Sequence, residues 1–339
     1  MPPDRTYDAI CRSNAGLLGS PFSLLRLFMA RNPISLAVHP VGQLGNRLLA
    51  LFFAHHLSRL MPNAIVTGCE IEEFPVRFGQ GPNPLYDGDR EITLTGHDVD
   101  VPALLREVEQ AGIERINLRG VFARVEYFGD RRDELRELID FGAPSNFFDD
   151  DQLAIHVRSG PHLTPMHIHE DFTPAPLSFH EQIIAETGLK PVFIGQFDDH
   201  FYPRAIQARF PDAEFVSGGS PAEDFGRLMS ARNIVASVSS YCWLASWFSR
   251  ATRIHLPLLG FLNPIHRADC DLLPTADARY AFYEFPVIRW DASLEQQDLL
   301  TRQHVPMKHL APAAVDALKV RAREGMRDPP LEVGSAKRA

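Results

Sequence analysis

The chain has no apolar run of about 20 residues, the length a helix needs to cross a bilayer core. It has only four cysteines in 339 residues, Cys11, Cys69, Cys242 and Cys270, and none forms a CxxC pair. That scatter argues against a dithiol redox motif or a cysteine-pair zinc site, and leaves buried thiols in a reducing compartment as the expectation. Positive charge is also short: 34 Lys and Arg face 43 Asp and Glu, for a net charge of -9. An acidic surface repels a phosphate backbone, so no nucleic-acid partner is expected. Walker loop, three-glycine dinucleotide fingerprint and Ser-His-Asp signature are all missing. A cytoplasmic location is the expectation. The most lipid-like stretch, Pro21 to Met29, is short and interrupted by Arg26, and it lacks the cationic lead-in of a signal peptide. It suits a short helix packed on the protein, with a peripheral membrane contact as the alternative.

What is present is globular: 45% hydrophobic and 23% charged residues, in a chain long enough for two domains. Short apolar strands alternate with helical patterns. The alternation stops at the turn-like Gly142-Ala143-Pro144-Ser145-Asn146 and the acidic Asp149-Asp150-Asp151, then resumes. It predicts an α/β fold with two Rossmann-like parallel-sheet domains, residues 1–150 and 151–295, followed by a helical tail over 296–339. A helix beginning near Asn46 places Leu48, Leu49, Phe52, Phe53, Leu57 and Leu60 on one broad core face, and Pro62 ends it. Asp130 to Ile139 reads as a charged helix. Ligands of such folds lie at the carboxyl ends of strands, where the strand order reverses.

Four places there carry polar chemistry. The run Ile155-His156-Val157-Arg158-Ser159-Gly160 delivers a His and an Arg from one strand face. The planar guanidinium suits a diphosphate; the alternative is a salt bridge to an acid such as Asp150. Ser237-Val238-Ser239-Ser240-Tyr241 gathers hydroxyls and free N–H groups at a helix start, which serves an anion or plain N-capping. Asp198 and Asp199 follow a strand end, where they can accept from a base edge or a ribose, or cap a helix. The loop around Gly42, Gly45 and Asn46 allows backbone to approach a ligand closely, or forms a tight turn with Asn46 as cap. His162, His167 and His169 tempt a metal assignment, but no further ligand pair has a recognisable spacing, and no metal is expected.

Five segments, in order, resemble the α-1,2-fucosyltransferases and their α-1,6- and protein O-fucosyltransferase kin. They are Gly42-Gln43-Leu44-Gly45-Asn46-Arg47-Leu48, Gly120 to Phe128, His156-Val157-Arg158-Ser159-Gly160, Phe193 to Asp199, and Glu223 to Ser230 paired with Ser239 to Trp247. The resemblance implies a GT-B fold, a GDP-sugar donor as co-substrate with no cofactor or metal, inversion at the anomeric carbon, and transfer to a glycan acceptor in polysaccharide biosynthesis. A non-catalytic nucleotide- or carbohydrate-binding protein on the same scaffold is the alternative. The resemblance further implies Arg158 and His156 as catalytic residues. Gly45, Asn46, Arg158, Asp198, Asp199, Asp224, Ser239, Ser240 and Tyr241 become donor-binding residues. Two positions depart from the pattern: Pro161 stands where the family often has Asp, and Arg47 replaces the usual Gln. Glu170, Asp171, His162 and Glu126 are candidates for the catalytic base by residue type alone.

Overall fold

A computed structural model describes residues 33–142 and 145–327. Cys11, the Pro21 to Met29 segment and the last residues of the tail lie outside the described residues.

Four strands form the first sheet: β1 (Ile34–Val38), β2 (Ala64–Thr67), β3 (Glu91–Leu94) and β4 (Arg115–Leu118). Their order is β2-β1-β4-β3, and every pairing is parallel. Helix α1 (Leu44–Leu60) leads from β1 toward β2, and α2 (Val101–Ala111) from β3 toward β4. The sequence writes the bounds of α2 directly. Asp100 accepts from the Ala103 N–H, Pro102 sits in the first turn, and Gly112 closes the helix in the left-handed conformation. The charged helix expected over Asp130 to Ile139 is shorter, α3 (Arg132–Glu137). It stops because Ile139 leaves to bridge Val76 in antiparallel fashion.

The second sheet holds β5 (Gln152–Val157), β6 (Lys190–Gly195), β7 (Glu214–Val216), β8 (Asn233–Val235), β9 (Arg253–Leu258), β10 (Tyr280–Glu284) and β11 (Lys308–Leu310). The order is β11-β10-β9-β8-β5-β6-β7. All pairs are parallel except β10 with β11. The connecting helices are α4 (Leu177–Thr187), α5 (Phe201–Arg209), α6 (Pro221–Ser230) and α7 (Ser240–Phe248). From β5 the chain steps outward through β6 and β7, then returns to place β8 on the other side of β5. That reversal puts a switch point between the ends of β5 and β8. The expected α/β class with two parallel sheets is what the chain adopts.

The helical tail expected over 296–339 contains two helices with a strand between them. Between α8 (Leu294–Arg302) and α9 (Pro312–Arg327) the chain runs back as β11 along β10. Val305 and Leu310 are buried there, and the pairing covers backbone groups that a bare β10 edge would expose.

Helix α1 is buried on nearly every side, not on one face. The reason is its position between the sheets. Phe53 stacks on Phe122 at 4.3 Å and meets Tyr127 at 4.7 Å, while Phe52 contacts Phe128, Trp247 and Phe248 at 5.6, 6.4 and 5.8 Å. Trp243 and Trp247 of α7 stack at 5.9 Å and complete the aromatic seam. A second tie comes from Val125, whose N–H donates to Asp271 O at 2.7 Å, and from Asp271, whose N–H donates to Ala123 O at 2.9 Å. Arg124 is fully buried between them, donating to Glu126 at 2.7 Å and to Asp269 O at 3.0 Å. The Gly120 to Phe128 segment therefore joins the two sheets.

Candidate functional site

The switch point opens into a cavity of about 620 Å³, within the size range of small-molecule sites. Its second-sheet wall includes His156, Arg158, Asp198, Asp224, Ser239 and Tyr241; the first unit contributes Gln43, Leu44 and Glu73. The second-sheet residues owe their places to strand ends and helix starts, whereas Glu73 lies in a turn of the loop between β2 and β3.

Arg158 is the residue after β5. It is half-buried, and its Nη1 donates to the neutral Gln196 Oε1 at 3.2 Å. Among the described residues it has no carboxylate partner. Asp150, the acid that local sequence offers it, pairs with Arg232 at 3.6 Å instead. Burial lowers the Arg158 pKa, yet a guanidinium stays charged at any physiological pH. A half-buried cation without a counter-ion is incompletely solvated, and an anion in the cavity would offset that cost.

His156 lies on the same strand face, with Nδ1 at 2.7 Å from Ser237 Oγ. Burial, helped by the Arg158 charge, pushes its pKa down to about 3, so the ring is neutral. It can exchange hydrogen bonds but adds no positive charge.

Ser239 caps α7 by accepting from the Cys242 N–H at 3.5 Å. Its own hydroxyl proton remains free to donate into the cavity, so capping and anion binding coexist at this residue. Asp198 accepts from Ser159 Oγ at 2.5 Å and lies 3.4 Å from His200. Asp224, in the first turn of α6, meets Arg227 at 2.8 Å, and burial raises its pKa against that partner's pull. The Tyr241 hydroxyl donates to Pro221 O at 2.6 Å, which fixes the ring along the cavity.

Four expected site residues stand outside the lining. Asp199 turns to solvent and pairs with Arg204 at 3.2 Å. Ser240 donates to Asn46 Oδ1 at 2.7 Å, so both are engaged with each other across the two units. Gly45 does allow a close approach, but to protein: a Cβ there would lie 2.4 Å from the Tyr241 backbone N. The starts of α1 and α7 thus abut at the edge of the cavity.

The three acidic base candidates named by residue type are held in ion pairs outside the cavity lining. Glu170 pairs with Arg289 at 3.0 Å, Glu126 with Arg124 and Arg323, and Asp171 is buried against His266 at 2.7 Å and against Arg267. His162 lies in a small void behind Arg158, its pKa pushed down to about 4 by burial and by that charge. Among the described residues no cluster of three or more His, Cys, Asp or Glu is arranged to hold a metal ion. Sequence reasoning did not reach Glu73, which lies in a loop with no motif, or Gln196, whose amide holds Arg158 and the Ser159 N–H.

No protein-family model matches the chain, and no curated protein sequence matches it. A solved structure, a mutant of Arabidopsis thaliana FUT1 in complex with GDP, is similar to it with a TM-score of 0.44 and 11% identity, over 84% of this chain and 78% of that one.

Proposed function

We propose that this chain is a glycosyltransferase that moves fucose, or a related sugar, from a GDP-sugar to a glycan acceptor. One observation carries the reading: an Arg158 without a carboxylate partner among the described residues and the hydroxyl-bearing start of α7 line the same cavity at a switch point. Breaking a sugar–diphosphate bond builds negative charge on the leaving oxygens. A fixed guanidinium and helix-start donors stabilise that charge, and one such donor is commonly worth about 10²–10³ in rate. In this reading they do so without a metal, and the acceptor attacks the anomeric carbon from the side away from the diphosphate, which inverts it. Asp224 accepts from the two adjacent donors of a guanine edge, and Asp198 with its Ser159 partner serves the ribose. The setting is cytoplasmic polysaccharide synthesis, testable by cell fractionation.

Calorimetry tests the core of the reading. GDP should bind the wild-type chain, and Arg158→Ala should weaken it about 10²-fold, as expected for removing a charged partner of a desolvated anion. A wild-type chain with no affinity for GDP sinks the assignment.

A second reading, nucleotide binding without turnover, is favoured by Pro161. It lines the cavity and offers neither an N–H nor a carboxylate. Sugar transfer from GDP-fucose to any member of a glycan panel would rule this reading out.

A further inference from the structure

Resting on the transferase reading, the structure leads us to propose that Glu73 is the catalytic base. Three carboxylates line the cavity: Glu73, Asp198 and Asp224. Asp198 and Asp224 belong to the second sheet's unit, the same wall as Arg158 and Ser239, and both have partners there. For an inverting displacement the base must lie across the sugar from the leaving diphosphate. Glu73 is the lining carboxylate on that opposite wall.

Its surroundings suit the task. Arg47, in the first turn of α1, donates to Glu73 Oε1, and both side chains are mostly shielded, at 16% and 18% exposure. Glu73 Oε2 is shut off from solvent and has no hydrogen-bond partner. It is thus a carboxylate oxygen without a use inside the protein, on a side chain whose other oxygen is oriented by a cation. A base steered by a third group is the usual arrangement for activating a weak nucleophile. The terminal torsion of a Glu side chain is broad, so a small turn presents Oε2 to the cavity. Arg47, the departure from the family pattern, is in this account the residue that positions the base.

The step balances without a co-reactant. The acceptor hydroxyl oxygen bonds to the anomeric carbon, and the bond from that carbon to the diphosphate oxygen breaks. The electron pair leaves on GDP, where Arg158 meets it. The hydroxyl proton passes to Glu73 Oε2.

Glu73→Gln keeps the bond from Arg47 and the side-chain size but removes the basicity. It should bind GDP within about threefold of wild type, while kcat for GDP-fucose consumption falls about 10²- to 10⁴-fold. Glu73→Ala should respond to sodium azide, a nucleophile with no proton to lose, by releasing GDP and forming a fucosyl azide visible by mass spectrometry. Wild-type turnover in Glu73→Gln overturns the proposal. Lost GDP affinity in that variant overturns it in favour of a nucleotide-binding role, and a failure of azide to rescue overturns it in favour of a positioning role. A wild-type chain that neither binds GDP nor consumes GDP-fucose defeats the parent reading, and this one with it.

Discussion

Three buried histidines set the acid limit of the protein residue by residue. Burial pushes His156 and His180 down to about 3 and His255 to about 4. In the unfolded chain each titrates near 6.5. Their folded pKa values are lowered, so below about pH 6.5 the unfolded state binds protons that the native state refuses, and stability falls as pH falls. The loss runs from about pH 6.5 down to the folded values, at a limiting slope of about 1.4 kcal/mol per pH unit for each ring. His180 offers a test away from the main cavity, because its Nε2 meets the Tyr202 hydroxyl at 3.1 Å in the core. His180→Gln should start less stable at pH 7 and lose less between pH 7 and pH 5. Urea midpoints at the two pH values decide, and an unchanged difference would refute the account. Residues such as Arg158 and Ser239 were legible beforehand because local pattern placed them at a strand end and a helix start. Glu73 was not, because its partner Arg47 is distant in sequence and only the fold brings the two together.

At the scale of elements, the meeting of α1 and α7 turns on Gly45. Any side chain there would strike the backbone of Tyr241 and the Ser240 hydroxyl, at 2.4 and 2.6 Å from an ideal Cβ. Backbone cannot rotate away, so Gly45→Val should force the helices apart and break the Asn46–Ser240 bond. Overpacking of this kind costs about 1–3 kcal/mol. Thermal unfolding and GDP titration should both suffer; a variant that matches wild type in both would show that the contact is soft. The patterns that placed α1, α2 and the parallel strands were legible because short apolar runs, buried almost throughout, alternate along the chain with helical spacings. They misjudged what depends on distant partners. The sequence of α1 shows one apolar face, yet two layers press on it. The tail looks helical, yet β11 exists because the β10 edge calls for a neighbour. The Gly120 to Phe128 segment, read beforehand only as one of the resembling stretches, supplies the strut around Arg124, which ties one sheet's unit to the other.

For the molecule as a whole, the seam of Phe52, Phe128, Trp243 and Trp247 packs the two sheets' units together and should make them unfold as one cooperative body. Aromatic pairs of this sort contribute about 0.5–1.5 kcal/mol each beyond the area they bury. Phe52→Ala should cost about 3–5 kcal/mol, because a cavity opens between two units that cannot collapse independently. Calorimetry should show one transition, shifted downward. Two separated transitions would mean that the halves are held together by less than the seam implies.

That same junction sets two like poles against each other. α1 and α7 meet start to start, and each start carries about half a positive elementary charge. The aromatic packing holds them together against this repulsion. A polyanion lodged beside them would act as a keystone, relieving the repulsion at the point where the halves join. Loading the cleft would then strengthen the body that holds it, and emptying it would leave the two halves pressed together against their own field.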